Sequence, residues 1–411
     1  MKYHRYLESL INEVCFDANK MAFISGPRQC GKTTMAKLLL KQRGKGVYYN
    51  WDETTFRRQW TKNPHLILPV LSASHDKTKP IVILDELHKA KLWKRSLKGL
   101  YDTQDGRYNI LVTGSARLNV YRKGSDSLMG RYYHFRLHPF SVAELLKSQY
   151  STAPDDLMAS LFSRHSSSRQ AYQIVEKLYQ FGPFPEPLLA GTQKSLNLWQ
   201  RNRIEKIIRE DLRDLSRLPE LSQVEMLASL LPERASQPLS LQTLSEDLEV
   251  AYTTVKRWLI YLSELYYIFR LSPYAKSSSR ALKKEAKLYL WDWSEIENKG
   301  ARFENLIAAH LLKYCDYLTD SGVGNFELRY IKNKEKQEID FLILRDKKVF
   351  LAVESKLTDE QPSPSWHKFM PYLNCPYGIQ VVMSPGVYKI YPFTNYKILV
   401  ISAGDFLRYL I

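Results

Sequence analysis

Cysteine is scarce in this chain, with four in 411 residues, at positions 15, 30, 315 and 375. No two have the spacing of a disulfide framework or of zinc ligands, which predicts a reducing compartment and excludes a stapled secreted scaffold. Long apolar runs are missing too. No stretch approaches the roughly 18 residues of a membrane span, and the opening "MKYHRYLESLINEV" has no apolar segment of signal-peptide length. The expectation is a soluble cytoplasmic protein without membrane contact. Acidic charge is the third shortage. Asp and Glu number 43 against 60 Lys and Arg, a formal charge of +17. That excess favours a polyanionic partner, usually nucleic acid. Apolar residues are present in ordinary amount, 44%, enough for two or three domains with cores.

The strongest local signal is "MAFISGPRQCGKTTMAKLLL", residues 21–40. Gly26, Gly31, Lys32 and Thr33 match GxxxxGK[ST], after a short apolar run and before a helical pattern. This is the setting of a phosphate-binding loop, in which glycines let backbone N–H groups face phosphate oxygens. Residues Gly26, Pro27, Arg28, Gln29, Cys30, Gly31, Lys32, Thr33 and Thr34 are the expected ATP contacts. Lys32 would reach the β- and γ-phosphates, and Thr33 would hold Mg²⁺. A second apolar run, Ile81 to Leu84, ends in Asp85-Glu86. Asp85 could bind Mg²⁺ through water, and Glu86 could polarise the attacking water. A third run ends in Thr113-Gly114-Ser115, where a hydroxyl could sense the γ-phosphate. "VYYNWDE", residues 47–53, reads as a fourth strand. Strands alternating with helices predict a doubly wound α/β layer with its ligand crevice at the strands' carboxyl ends.

"ILDELHKAKLWKRSLKGLYD" (83–102), "LVTGSARLNVYRKGSDSLMGRYYHFRLHPFSVAEL" (111–145), "FGPFPEP" (181–187), "RNRIEKIIREDLRDLS" (201–216) and the apolar hairpin at 338–356 resemble a family of bacterial and archaeal AAA-superfamily P-loop ATPases. The carboxyl-terminal half of that family is a domain of unknown function with a nuclease-like fold. The resemblance implies that Lys32, Thr33, Asp85 and Glu86 are the Walker residues and that Ser115 sits at the sensor position. It makes Arg131 a candidate arginine finger or sensor, supplied in cis or by a neighbouring subunit of a homo-oligomer.

The implied plan is an ATPase core over 1–145, a helical linker over 146–235, a winged helix-turn-helix over 236–287 and an α/β domain over 288–411. In "LSLQTLSEDLEVAYTTVKRWLIYLSELYYIF", residues 239–269, Leu241, Leu244 and Leu248 face the core from one helix. Val255, Trp258, Leu259 and Leu262 do so from the next. Thr253 or Thr254 is the expected N-cap of that second helix. Tyr252, Thr253, Lys256 and Arg257 are left exposed to meet DNA. "AKSSSRALKKEAK", residues 275–287, reads as a basic wing tip. An internal brace between domains fits the same pattern.

"EIDFLILRDKKVFLAVESK", residues 338–356, is an apolar hairpin over a turn near Asp346-Lys347. Glu354 and Lys356 share a face, and Asp340 can join them across the strands. Such charges are costly unless paired or metal-bound, and a second divalent metal on Asp340 and Glu354, with Lys356 beside the hydrolytic water, would relieve the repulsion. Glu304, at the edge of a helical apolar stripe, could complete the metal shell. The set resembles the PD-(D/E)xK, restriction-endonuclease-like fold, which implies nucleic-acid hydrolysis by Asp340, Glu354 and Lys356. The alternative is an ATP-gated switch whose hairpin acids are inert, tied by an Asp340–Lys356 ion pair.

Overall fold

Short apolar runs separated by helices become one parallel sheet in the amino-terminal half. β1 (Met21–Ser25), β2 (Gly46–Asn50), β3 (Ile81–Asp85), β4 (Asn109–Thr113) and β5 (Tyr132–Arg136) lie in the order β2-β3-β4-β1-β5. All four pairings are parallel. β1, β3 and β4 are buried along their whole length, which is why they read as continuous apolar runs and not as alternating ones. Each such Ile, Val or Leu contributes about 1.5–3 kcal/mol by leaving water. One face packs against Trp93, Leu97 and Leu100 of the helix Trp93–Thr103. Parallel pairing puts every carboxyl end at one edge, and this parallel α/β sheet is that of the P-loop NTPase fold.

The computed structural model describes residues 4–69, 78–114, 128–147, 153–163, 167–212, 220–275 and 285–411. Two compact units divide the chain, Met1–Pro139 and Phe140–Ile411. The second begins with helical segments. Arg203, on the helix Gln193–Glu205, is 4% exposed and pairs with Glu295 at 3.0 Å, its guanidinium between the Phe184, Trp199 and Tyr267 rings. The ring contacts and the ion pair together offset the cost of burying that charge.

Farther on, helices Leu241–Asp247 and Tyr252–Glu264 precede an antiparallel pair, β6 (Ile268–Leu271) and β7 (Lys287–Leu290). The last part is a six-stranded mixed sheet of β8 (Phe326–Lys332), β9 (Glu338–Arg345), β10 (Lys348–Lys356), β11 (Tyr377–Val382), β12 (Tyr388–Pro392) and β13 (Lys397–Ser402). Its order is β12-β13-β11-β10-β9-β8. The β9–β10 turn has Asp346 and Lys347 at φ of 50° and 68°. Two successive left-handed residues twist a hairpin in the right-handed sense of its strands. The long helix Lys299–Asp320 packs on β8, β9 and β10, its first turn capped by the Asn298 side chain.

Candidate functional site

The phosphate-loop residues follow β1 at the carboxyl edge of the parallel sheet. Gly31 has φ of 102°, a conformation only glycine takes freely. A Cβ on Gly26 would collide with the Leu137 carbonyl. The loop is thus pressed against the chain leaving β5. Cys30 is buried, with its thiol toward the Leu137 carbonyl at 3.4 Å. Arg28 is half-buried, while Gln29 and Thr34 are exposed. Helix Lys32–Arg43 starts without a side-chain cap, so its first N–H groups are available to an anion. Lys32 is buried and donates to the Gly26 and Pro27 carbonyls at 2.9 and 2.6 Å. A residue the motif does not include, Arg5, donates to the Cys30 carbonyl at 2.6 Å and the His138 carbonyl at 2.5 Å. It sutures the loop to the end of β5, and no local pattern marks it.

Asp85 ends β3 beside this loop. Its carboxylate accepts from Thr33 Oγ1 at 2.7 Å, from the Tyr48 hydroxyl at 2.7 Å and from Thr113 Oγ1. The Thr33–Asp85 contact is the pairing a magnesium site needs, and these residues fit a nucleotide phosphate with its metal. Tyr48 is a partner that no motif marks. It follows from β2 lying next to β3, which strand spacing alone does not reveal. Glu86 has φ of 58°. Burial raises its pKa, against the lowering fields of Lys32 and Lys89, which suits a proton acceptor. Ser115 lies outside the described residues.

Arg131 needs a correction. Its carbonyl accepts from Met21 N at 2.9 Å, and its side chain pairs with Asp102 at 2.6 Å. Met21 opens β1, so Arg131 sits at the amino edge of the sheet, a full strand from the phosphate loop. It does not reach the nucleotide site of its own chain.

In the second unit Leu244, Leu248, Val255, Trp258, Leu259 and Leu262 are buried, with Leu241 half-buried. Tyr252, Thr253, Lys256 and Arg257 are exposed. The N-cap of helix Tyr252–Glu264 is Ala251, without a side-chain bond. Neither Thr253 nor Thr254 caps it, because the helix starts one residue before the first of them.

The hairpin acids meet an unexpected partner. Lys287 closes the segment that reads as a basic wing tip. Residues 276–284 of that segment lie outside the described residues, but Lys287 itself opens β7 with no exposure at all. Its ammonium lies 3.1 Å from Glu304 Oε1, 3.2 Å from Glu338 Oε1 and 3.6 Å from Asp340 Oδ1. The Tyr289 hydroxyl donates to Glu304 at 2.8 Å. Asp340 Oδ2 accepts from Ser355 N and Oγ, both at 2.9 Å. Lys356 pairs with Glu354 at 2.8 Å, not with Asp340. Asp340, Glu354, Lys356 and Glu304 therefore do share one network, but the predicted Asp340–Lys356 pair is replaced by Asp340–Lys287. Among the described residues no group of three His, Cys, Asp or Glu is disposed to hold a metal ion; the expected second divalent site on Glu304, Asp340 and Glu354 finds no support.

Burial disfavours the Lys287 ammonium, yet Glu304, Asp340 and Glu338 hold its pKa above the ordinary range. Burial, then the nearby Asp340 charge, pushes the Glu304 carboxyl up to about 8, against Lys287 and Tyr289. Glu354 is raised for the same two reasons, against Lys356. A carboxyl whose folded pKa lies above its unfolded value, 4.5 for Glu304, stabilises the fold below the lower value and loses that contribution as pH rises through the upper one. Between pH 5 and 8 the wild type should thus lose about 1–3 kcal/mol relative to Glu304→Gln, read by urea denaturation at matched pH. A difference that stays constant over this window would contradict the assignment.

Comparison with known proteins adds a domain match. Residues 18–146 match the model of an AAA domain. Two models described as domains of unknown function, DUF8612 and DUF4143, match residues 172–294 and 299–401. An uncharacterized protein of Methanocaldococcus jannaschii is 24% identical over 84% of this chain and 77% of its own length. One of Haemophilus influenzae is 22% identical over 82% of each. Among solved structures, the Walker-type ATPase PABY2304 of Pyrococcus abyssi is 15% identical with a TM-score of 0.41, over 71% of this chain and 94% of that one. Aeropyrum pernix ORC1 in complex with DNA is 14% identical with a TM-score of 0.34, over 75% and 93%. The AAA match agrees with the phosphate loop, Thr33 and Asp85 meeting at one sheet edge: residues 18–146 are an AAA domain of the P-loop kind.

Proposed function

We propose that the protein hydrolyses ATP with magnesium and passes its nucleotide state to a carboxyl-terminal unit that contacts nucleic acid. The observation that carries this is the convergence of Lys32, the Thr33–Asp85 bond and Glu86 at the carboxyl ends of β1 and β3. Magnesium, when bound with the nucleotide, neutralises charge on the transferring phosphoryl group. Lys32 exchanges the Gly26 and Pro27 carbonyls for phosphate oxygens. Thr33 and Asp85 would hold the magnesium, while Tyr48 and Thr113 hold the Asp85 carboxylate in place. Glu86 accepts a proton from the attacking water. Because Arg131 lies at the far edge of its own sheet, it could act as the stabilising arginine only on the nucleotide of a second copy of the chain. Glu86→Gln should bind ATP about as well as wild type while losing on the order of 10²–10⁴ in turnover. Unchanged phosphate release would remove Glu86 from this role.

The nucleic-acid contact is supported by the charge of +17 and by exposed Tyr252, Thr253, Lys256 and Arg257 on one helix. Binding to duplex DNA should weaken steeply with salt. Changing Lys256 and Arg257 together to alanine should reduce the salt slope by about 2, one for each phosphate no longer neutralised. Salt-independent binding, or none, would leave those helices as a brace. A second reading, an ATP-gated switch with inert hairpin acids, is favoured by the presence of Lys287 inside the acid network.

A further inference from the structure

The network around the β9–β10 hairpin holds four carboxylates, Glu304, Glu338, Asp340 and Glu354, and three ammonium groups, Lys287, Lys332 and Lys356. Lys332 closes it by pairing with Glu338 at 2.9 Å. Four negative and three positive charges leave at most one uncompensated, which a single proton neutralises. A divalent ion would bring charge the network has no need of. Several of the oxygens are also spoken for. Asp340 gives one to Lys287 and the other to Ser355, and Glu304 Oε1 takes both Lys287 and Tyr289. Glu354 keeps a spare oxygen. It is 2% exposed, and its Oε2 has no hydrogen-bond partner.

We infer that Lys287 is a built-in cation that keeps this carboxylate cluster closed to divalent metal, and that its removal opens a latent metal site on Asp340, Glu304 and Glu354. A lysine is suited to this. Its flexible four-carbon stem delivers one compact charge to a point that three carboxylates share, and β7 fixes the base of that stem. Hard divalent ions take carboxylate oxygens in a full shell. That shell cannot assemble while an ammonium bridges Glu304, Glu338 and Asp340. Metal binding here is separate from nucleotide turnover in the amino-terminal unit, so either can fail without the other.

The test is Mn²⁺ titration of the full-length protein without nucleotide, reading free Mn²⁺ by electron paramagnetic resonance. Wild type and Asp340→Asn should give the same weak uptake. Lys287→Ala, or Lys287→Met if the smaller residue fails to fold, should bind one Mn²⁺ about tenfold more tightly or better, the scale on which neighbouring groups tune metal affinity. Adding Asp340→Asn to either should abolish the gain. ATP turnover, which does not involve Lys287, should stay at the wild-type level in the folded variants. Wild type binding an Mn²⁺ that Asp340→Asn removes would overturn the inference, whether or not the Lys287 variants fold. Folded Lys287 variants that bind no better than wild type would overturn it equally.

Discussion

Lys32→Ala is expected to lower ATP turnover by on the order of 10³-fold and to weaken nucleotide binding as well. The physical reason is charge at the reacting end. Phosphoryl transfer offers the protein little covalent chemistry, so catalysis depends on positioned positive groups on the transferring phosphate, and one such donor removed elsewhere costs about 10²–10³ in rate. Arg131 of the same chain cannot take its place, because it is committed to Asp102 at the opposite sheet edge. The fold should survive. Among the described residues Lys32 donates to two loop carbonyls, and losing those bonds should cost about 1.5–3 kcal/mol each. Lys32→Arg should not rescue the rate, since a planar fork does not reproduce a compact ammonium in a glycine-lined loop. Continuous phosphate-release measurement against the circular dichroism spectrum separates the two effects. Turnover within about threefold of wild type in a folded Lys32→Ala protein would place the active site elsewhere.

Lys287→Ala should destabilise the carboxyl-terminal unit by about 3–5 kcal/mol in metal-free buffer at neutral pH. Removing one partner of a buried ion pair costs more than the pair contributes, because the remaining charge is left buried without compensation. Here three carboxylates lose a shared partner. Lys287→Met keeps most of the volume but should lose nearly as much, which identifies charge and not packing as the cause. Adding Glu304→Gln should recover part of the loss, since two members of one network are strongly non-additive. In a thermal scan the single variant should melt lower by on the order of 10 °C. A loss below about 1 kcal/mol would mean that water, and not Lys287, balances these acids.

The parts of this protein that are legible in its sequence are those in which function depends on neighbours along the chain. Gly26, Gly31, Lys32 and Thr33 must be close in sequence, because one turn and one helix start present them. Asp85-Glu86 is legible because a strand buried on both faces announces where it ends. The hairpin is legible because its turn and its alternation are local. Lys287 shows the other case. It closes a Glu285-x-Lys287 triplet of the kind that means nothing alone, within a basic stretch that reads as a solvated wing tip. In the fold it is fully buried, since β7 carries it under the helix and hairpin acids. Ala251 escapes notice for a smaller reason: two adjacent threonines are better caps than alanine, and the helix begins one residue ahead of them.

By itself, then, the sequence determined a phosphate-loop pattern, an acidic pair at the end of a buried strand, a basic balance, and a polar set on an apolar hairpin. Only the tertiary structure decided which groups oppose one another across strands. It set Tyr48 and Thr113 on Asp85, Arg5 behind the phosphate loop, Arg131 at the far edge, and Lys287 among the carboxylates. The reason is that spacing along one segment governs which side chains share its face, whereas the order of strands in a sheet, settled by burial over the whole domain, governs which faces meet.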